Sequence, residues 1–544
     1  MIGYKAIFFS FSFCFCLLNF SLQAQQPGAD SSAKKQIIIL NAERLNYEKK
    51  DSAEYQSAAG KVAIQQQTTL FYCDSVALNK TRNLLEAYGH VHINDNDSVH
   101  TYSDYLRYLG NEKKAYLNGH VKLTDGKGTL TTPDLDYDLN THIGIYTKGG
   151  KVVSEKTVLT SQEGYYYGET KDVYFKKQVV LNNPDYTVTT DTLLFNTYTN
   201  VATFVVPTLV KANKKRTILT SDGYYDMKNK KAYFGKRPHI EDSTTILDAD
   251  QVASDDSTQQ SEASGNVIYK DTAQGVTILS NNLKSNGEQA SYLATQRPIM
   301  IIKQDQDSIY MAADTFFSAR LSNLRKYRNV PVILDSLPAA DSIRIRDSAT
   351  AKPDSARDRF VEAYFHVKIF SDSLQAVGDS LFYSLEDSAF RLFKEPAVWS
   401  RESQITGDTI YLFTQDKKAK RIYVFENALS IQKVGPDYYN QVKGRTINGY
   451  FVGGEIEHVR AKGNGESIYY GQDDSSKFIG VNRATADVID MYFANREAQR
   501  VVFRSNLEGT SFPMRQMNSA DMRLRGFVWL DDRRPKTKYD LFGN

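Results

Sequence analysis

Cysteine is scarce in this chain, with three residues among 544. Two of them, Cys14 and Cys16, lie in an apolar run at the start of the sequence, so only Cys73 remains beyond it. A single cysteine excludes an internal disulfide in that remainder. Hydrogen-bonded backbone and buried apolar surface must therefore hold the fold together, and Cys73 itself is expected to be a small buried apolar residue.

An excess of one charge is lacking as well, because 67 basic residues oppose 64 acidic ones and leave a net charge of +3. Nucleic-acid-binding proteins carry a strong basic field, so no nucleic-acid partner is expected here. Proline and tryptophan are rare, at 13 and 2 residues, whereas tyrosine is abundant at 35. Tyrosine, threonine and valine spread along the whole length favour an all-β fold.

Long apolar runs are confined to the first 24 residues, where Lys5 precedes an apolar stretch from Ala6 to Phe20 and Ala24 follows as a small residue. This pattern predicts a secretory signal peptide over 1–24, because the stretch is too short to remain as a membrane span. We therefore expect an exported protein in the periplasm, either free or associated with the outer membrane.

What the sequence does contain is a repeat of about 30 residues, marked by an acidic residue that an apolar pair follows. The intervals between these anchors are 31, 30, 30, 29, 28, 31 and 28 residues. The anchors are Glu43, Asp74, Asp104, Asp134, Glu163, Asp191, Asp222 and Asp250. Such a period indicates one supersecondary unit stacked many times, so function is expected on the surface that the units share.

Each unit begins with a glycine-led alternation, as in Gly60-Lys-Val-Ala-Ile, Gly89-His-Val-His-Ile and Gly119-His-Val-Lys-Leu. A period of two predicts a strand with apolar residues on one face, while His90, His92 and His120 face outward. Two strands and two turns fit into each unit. The residues predicted on the inward face are Val62, Ile64, Val91, Ile93, Val121 and Leu123.

The repeat predicts two folded parts, 37–330 and 360–506. Between them, residues 331–359 mix Asp-Ser pairs with alanine, arginine and proline, and such a composition buries too little apolar surface to offset its ordering entropy. A disordered linker or loop is predicted there. Residues 507–544 match no repeat unit, so this tail is expected either to cap the last open strand edge or to dock on a partner.

These units resemble the OstA-like family of lipopolysaccharide-transport proteins, which includes a periplasmic bridge protein and the N-terminal domain of an outer-membrane assembly barrel. The matching elements are Gly89-His-Val-His-Ile and Ser103-Asp-Tyr-Leu-Arg-Tyr, in serial order from residue 37 to 245 and more loosely from 360 to 506. The resemblance implies an elongated open β-jelly roll, a folded trough whose apolar interior shields acyl chains. Here it is expected in two parts.

The inferred cargo is lipopolysaccharide or lipid A, because moving one acyl chain of about a dozen carbons through water costs on the order of 10 kcal/mol. The resemblance also implies partners: jelly-roll transport proteins of the inner and outer membranes, or a second copy joined end to end by strand addition. The segment Ile37, Ile38, Ile39 and Leu40 is either such a docking strand or an ordinary first strand.

The acids and the histidines show no catalytic or metal-binding pattern, and the basic cluster Lys211, Lys214, Lys215 and Arg216 is interpreted as a solvated turn between strands, with contact to lipid phosphates as the alternative. Each anchor stands alone once per unit, so hydrogen bonding at turns or strand ends is favoured over metal binding. No enzyme, cofactor or metal is therefore predicted. The main alternative to a lipid carrier is an exported β-solenoid adhesin or scaffold with a solidly packed core, and a carbohydrate-active enzyme on a β-helix is a third reading.

Overall fold

The computed structural model of the protein describes residues 37–542, except 51–52, 67, 96–98, 213–215, 304–307, 335–343, 347–356, 416–417, 454, 474, 476 and 495–496. The predicted signal peptide lies outside the described residues. The chain divides into two compact units, the first ending at Gly126 but including Asp136–Asn140, and the second comprising Lys127–Leu135 and the chain from Thr141 onward. The predicted linker, 331–359, falls inside the second unit.

The first unit is an antiparallel assembly of consecutive strands. They are β1 (Ile38–Asn41), β2 (Arg44–Lys50), β3 (Ala53–Gln66), β4 (Thr69–Asn79), β5 (Leu84–Asp95), β6 (Val99–Leu109) and β7 (Lys114–Thr124). The next strand, β8 (Gly128–Asp138), contains the boundary between the units.

The second unit is also built from consecutive antiparallel strands, which vary more in length than those of the first unit. Before the predicted linker they are β9 (Ile143–Tyr146), β10 (Gly150–Ser154), β11 (Thr157–Ser161), β12 (Glu163–Tyr167), β13 (Asp172–Asn183), β14 (Tyr186–Asn196), β15 (Val201–Phe204), β16 (Thr208–Ala212), β17 (Arg216–Thr220), β18 (Asp222–Asp226), β19 (Lys231–Gly235), β20 (His239–Asp242), β21 (Thr245–Asp248), β22 (Gln251–Asp255), β23 (Gln260–Asp271), β24 (Val276–Asn286), β25 (Ser291–Thr295), β26 (Ile299–Lys303), β27 (Ser308–Ala312) and β28 (Thr315–Ala319).

A short helix, α1 (Leu321–Leu324), and a small hairpin, β29 (Val332–Leu334) with β30 (Arg344–Arg346), precede the remaining strands. These are β31 (Phe360–Phe370), β32 (Gln375–Ser384), β33 (Ala389–Phe393), β34 (Ala397–Ser400), β35 (Ser403–Thr406), β36 (Thr409–Gln415), β37 (Lys418–Lys433), β38 (Tyr439–Val452), β39 (Glu455–Gln472), β40 (Phe478–Ala494), β41 (Glu497–Arg504) and β42 (Glu508–Pro513). Single turns of 3-10 helix lie at Met514–Gln516, Asp531–Arg533 and Lys538–Leu541.

The predicted all-β fold class is confirmed, since antiparallel strands make up most of the described chain. In the part of the chain that the structure describes, no helix is both long enough and apolar enough to cross a membrane.

Long strands of the first unit bend in the middle at a β-bulge. In β5, Gly89 and His90 have φ angles of 71° and 43°, and the pairing with β4 and β6 shifts there. Position 89 requires glycine, because a Cβ atom there would lie 2.3 Å from Oδ2 of Asp74. Gly119 in β7 repeats the arrangement next to Asp104. The glycines that the sequence suggested as the starts of strands therefore lie inside longer, bent strands.

The bends place each long strand in two hydrogen-bonded layers. The first layer contains residues 38–41, 62–66, 69–73, 91–95, 99–103 and 121–124, and the second contains 44–50, 53–59, 75–79, 84–88, 105–109 and 114–118. The layers face each other, because the ring centroids of Phe71 in the first and Tyr108 in the second are 5.8 Å apart. The core of the first unit lies between them.

The second unit is built in the same way. Its bulges carry two consecutive residues with positive φ, as at Lys177 and Gln178 or Glu426 and Asn427, and the pairing register shifts at each. One apolar cluster of buried residues extends in sequence from Tyr146 to Ile489. Because β28 pairs directly with β31, the chain before the predicted linker and the chain after it belong to one core.

The predicted linker is in part folded. Within 331–359, β29 pairs with β30, and Ile333 is 4% exposed against Ala389, Phe413 and Tyr423. The reason is local: Val332, Ile333 and Leu334 form an apolar run that the polar average of the segment conceals. Residues 335–343 and 347–356 lie outside the described part of the chain.

The C-terminal tail both extends the sheet and crosses it. Its strand β42 pairs with β40, and the chain then runs along the outer sheet face, opposite the apolar cluster. Met522 and Leu524 are buried there, and Leu541 packs near Ile299. Neither role predicted for the tail, capping of the last strand edge or docking on a partner, is tested by these contacts, since β42 itself is an exposed strand that pairs with β40 alone among the described strands.

Candidate functional site

A carboxylate lies beside many of the bulges, on the neighbouring strand. Asp74 in β4 accepts a hydrogen bond from Nδ1 of His90 at 2.8 Å, and Asp104 in β6 accepts one from His120 at 2.7 Å. Further pairs of this kind are Asp134 with Lys148, Glu163 with Lys177, Asp222 with Lys236, Asp250 with Asn266, Asp314 with His366, Asp379 with Lys394, Asp408 with Asn427 and Asp487 with Asn506. Six of the eight acidic anchors, Asp74, Asp104, Asp134, Glu163, Asp222 and Asp250, are therefore corner residues that bind structural partners.

The histidines of β5 occupy two different environments. His90 is exposed at a corner, and its hydrogen bond to Asp74 raises its pKa. His92 lies on the outer face, where its ring stacks on Tyr102 with the ring centroids 4.5 Å apart. Its Nε2 lies 3.1 Å from Nδ1 of His100. Burial, together with the nearby His100, lowers the pKa of His92.

We expect these two imidazoles to titrate on opposite sides of the usual pKa of about 6.5. Because the folded-state pKa of His90 is raised, its corner bond stabilises the fold below the usual pKa, and that contribution is lost as the pH rises through the folded value. Histidine-selective NMR titration measures both values. Asp74→Asn should return the pKa of His90 towards 6.5 and leave His92 unchanged; parallel titration of the two rings in the unsubstituted protein would contradict the corner geometry.

The residues predicted to line an apolar interior lie together on one face of the first layer. Direct cross-strand pairs join Ile64, Phe71, Ile93, Thr101 and Leu123 into a single row. Closer to the bend, Val62, Val91 and Val121 are each 1% exposed. Ile64 has no exposed surface, whereas Ile93 and Leu123, near the strand ends, are half-buried. Apart from Thr101, the residues of this row are apolar, and the face is closed at the bend and partly open at its rim.

Cys73 belongs to this interior as a buried residue, as predicted. Burial raises the pKa of its thiol to about 11, so it remains uncharged at neutral pH.

A hydrogen bond between the layers spans the rim. The side chains of Tyr108, from the second layer, and Gln66, from the first, are hydrogen-bonded, and both residues are buried. Burial raises the pKa of Tyr108 to about 12, so its hydroxyl stays protonated. The second unit has comparable contacts, with ring centroids 5.5 Å apart for Tyr186 and Tyr225, and 5.0 Å apart for Tyr269 and Tyr292.

These rim tyrosines were missed in reading the sequence. A signal was available, because Tyr108 ends the element Ser103-Asp-Tyr-Leu-Arg-Tyr on which the resemblance rests. Starting from the corner residue Asp104, the alternation along β6 places Leu106 and Tyr108 on the inward face.

The strands β1 and β2 form the edges of the two layers of the first unit. Each pairs with β3, and no other described strand pairs with either of them. Ile38 and Leu40 are both 54% exposed, while Ile37 is 8% exposed. On β2, Leu45 and Tyr47 are also exposed. The predicted docking segment is therefore an accessible strand edge with apolar side chains.

Comparison with known proteins assigns a family to the N-terminal part of the chain. Residues 34–191 match the family model of the OstA-like proteins. This region is OstA-like. The resemblance found in the repeat is thereby confirmed for the chain that includes the apolar row, the corners and the β1 and β2 edges. A search of the curated proteins gives no match to the chain.

Proposed function

We propose that the protein is a non-catalytic, periplasmic carrier of lipopolysaccharide that shields acyl chains between the two layers of an open, trough-like jelly roll. The observation that carries the proposal is the apolar row Ile64, Phe71, Ile93 and Leu123 in an OstA-like region. An acyl chain placed along this row leaves water without any reaction, and each methylene buried contributes about 0.8 kcal/mol.

Lipid entry is proposed to occur at the rim. The positions near the bend are closed, since Val62 and Val91 are 1% exposed. Ile93 and Leu123 are half-buried, and the bond between Gln66 and Tyr108 is the contact that must break for the layers to part there. A hydrogen bond contributes only about 1 kcal/mol net, because the freed groups can bond to water or to a polar headgroup.

Partner binding is proposed at the β1 and β2 edges, by addition of a strand from another jelly-roll transport protein or from a second copy of this chain. Backbone groups along such an edge supply affinity, and the exposed Ile38 and Leu40 supply apolar contacts. Joining carriers in this way would make a continuous route towards the outer membrane.

Photo-crosslinking in cells tests both parts of the proposal. A crosslinkable residue at Leu123 is expected to capture lipopolysaccharide, and one at Leu40 is expected to capture a jelly-roll protein or a second copy. Ile93→Asp should strongly reduce the lipid product, because a charge on the row opposes acyl binding. His92→Asp, on the outer face of the same strand, is the matched control and should leave the lipid product unchanged.

The second candidate is an exported scaffold with a solid core, which the closed positions Val62, Ile64 and Val91 favour. Its layers would never separate, so no lipid would reach Leu123. Equal crosslinking in the Ile93→Asp and His92→Asp variants, or absence of lipid at Leu123 beside a normal protein product at Leu40, would support the scaffold and refute the carrier.

A further inference from the structure

The two sides of the rim of the first unit differ in charge. The segments that connect the strands of the second layer there, with the adjoining strand ends, are 49–54, 80–83 and 110–114, and they contain six basic and three acidic residues. The corresponding segments of the first layer are 66–69, 95–99 and 124–126, and they contain three acidic residues and no basic one. The second layer therefore carries the basic side of the rim.

The connections of the basic side are bonded directly to one another. The N–H of Gly110 donates to the carbonyl of Asn83 at 2.8 Å, and the side-chain amide of Asn83 donates to that of Asn111 at 3.2 Å. The N–H of Lys80 donates to the carbonyl of Glu54, also at 2.8 Å. These bonds between successive connections hold their cations side by side along the rim.

Three of these cations, Lys80, Arg82 and Lys113, have no acidic partner among the residues that the structure describes. In contrast, Lys114 pairs with Glu112 at 3.7 Å, and the two corner histidines of the same unit each have a carboxylate. Unpaired charges of one sign on neighbouring connections repel one another and attract an anion. The rim thus offers three free cations to an anionic group.

Lys80 directs its ammonium group to the mouth of the interior. Its Nζ lies 5.9 Å from the ring centroid of Tyr47. Cross-strand pairing through β3 places Tyr47 in one row with Leu78, Leu85 and Tyr108, which are buried on the inward face of the second layer. A cation over this inward-facing ring lies where the polar end of a lipid would emerge from between the layers.

We propose that Lys80, Arg82 and Lys113 bind phosphate groups on the headgroup of the lipid cargo. This assignment rests on the proposed function, because it places the polar end of the lipid whose acyl chains lie along the apolar row. A phosphate monoester carries about two negative charges at neutral pH, and the parallel N–H donors of an arginine match its oxygens. An uncharged sugar would leave the three cations unpaired, so the rim selects phosphorylated lipids.

The probe is diphosphoryl lipid A, compared with the same lipid after removal of both phosphates. Photo-crosslinking from position 123 of the full mature chain, in a fixed concentration of neutral detergent, is measured against lipid concentration. An exposed ion pair contributes a factor of about two to three, so the diphosphoryl form should reach half-maximal crosslinking at about tenfold lower concentration. Raising the salt concentration from about 0.05 M to about 0.5 M should remove most of this preference, because exposed charges are screened.

Charge reversal locates the binding. Arg82→Glu combined with Lys113→Glu should abolish the preference for the diphosphoryl form and leave crosslinking of the dephosphorylated lipid unchanged. Lys61→Glu combined with Lys122→Glu is the matched control, because it makes the same change of charge at exposed positions of the same unit, one at a corner and one on the outer face. This control should retain the preference.

Equal half-maximal concentrations for the two lipids, or a preference that persists in Arg82→Glu/Lys113→Glu, would overturn the headgroup site and leave the carrier intact. Absence of crosslinking with both lipids would reject the carrier and the headgroup site together. The salt series uses the unsubstituted chain, so it tests the site even if the double variant does not fold.

Free phosphate is the other source of the same chemistry, and ³¹P NMR distinguishes it. Inorganic phosphate at about 1 mM should show no line broadening with the protein, because it lacks the acyl chains that supply most of the affinity. Broadening that Arg82→Glu/Lys113→Glu abolishes would assign the three cations to the free ion and overturn the headgroup site.

Discussion

Gln404→Ala is expected to release the C-terminal tail from the sheet and to lower the free energy of unfolding by roughly 3 kcal/mol. The Gln404 amide donates to the carbonyl of Val528 at 2.8 Å, and its oxygen accepts from the N–H of Leu530 at 2.7 Å and from Nε1 of Trp399 at 3.2 Å. Gln404 and Trp399 have no exposed surface. Alanine leaves the buried indole N–H of Trp399 and two partly buried backbone groups of the tail without partners, and a buried polar group without a partner costs about 1–3 kcal/mol.

Tryptophan fluorescence reports this change directly, because the two tryptophans of the chain, Trp399 and Trp529, both lie at the tail contact. In Gln404→Ala we expect red-shifted emission and an earlier urea midpoint. Gln415→Ala, at an exposed position of the same unit, is the control and should change stability by no more than about 0.5 kcal/mol. Native emission in Gln404→Ala would mean that the amide does not hold the tail.

The path of the tail was beyond prediction from its own residues, because the groups that hold it lie elsewhere in the sequence. Gln441 bonds the carbonyl of Met522 and the N–H of Leu524, Gln404 bonds residues 528 and 530, and Gln375 accepts two bonds from Arg534. The apolar residues of the tail indicated burial but not against which face. The interval of 29 residues between Gln375 and Gln404 matches the repeat, so equivalent positions on successive units were a detectable signal.

The repeat alone predicted the serial arrangement of the strands but not the bends within them. The period of the acidic anchors correctly predicted a serial all-β arrangement and hydrogen bonding by these residues, as at Asp74 and Asp104. Their position in mid-strand was not predicted, because a bulge with two positive φ angles leaves the alternation on either side intact. Glycine followed by a polar residue therefore looked like the start of a strand.

The sequence predicts which residues of the site share one face of the sheet, but it does not predict how closely the two layers approach each other. Alternation alone placed Ile64, Ile93 and Leu123 on one face, where cross-strand pairing joins them through Phe71 and Thr101. How near the second layer comes depends on contacts between strands that are distant in sequence, such as Tyr108 with Gln66. No local pattern encodes that distance, which decides between a carrier and a scaffold.

Asp490→Ala is expected to lower the free energy of unfolding of the second unit by roughly 3–5 kcal/mol, because it removes the buried carboxylate that Arg460, Arg504 and His458 share. Asp490 has no exposed surface and accepts hydrogen bonds from Arg460 at 2.6 Å, Arg504 at 2.8 Å and His458 at 3.0 Å. Without it, the two guanidinium groups repel each other on the outer face of β39, β40 and β41.

The same cluster predicts how stability depends on pH. Burial alone would raise the pKa of Asp490, but the hydrogen bonds from Arg460, Arg504 and His458 outweigh it and lower the pKa to about 2. A depressed pKa stabilises the fold above the usual value of about 3.8, and this contribution, about 2 kcal/mol, is lost as the pH falls towards 2. Urea unfolding followed by circular dichroism at pH 7 and pH 3 should show a loss of about 1 kcal/mol, because at pH 3 the native carboxyl is still mostly ionised. The control is Asp487→Asn, at an exposed corner position on the same strand. This variant should retain the pH dependence that Asp490→Asn loses, because only the buried carboxylate is held ionised by two arginines. Identical pH profiles for the two variants would show that the cluster does not control acid stability.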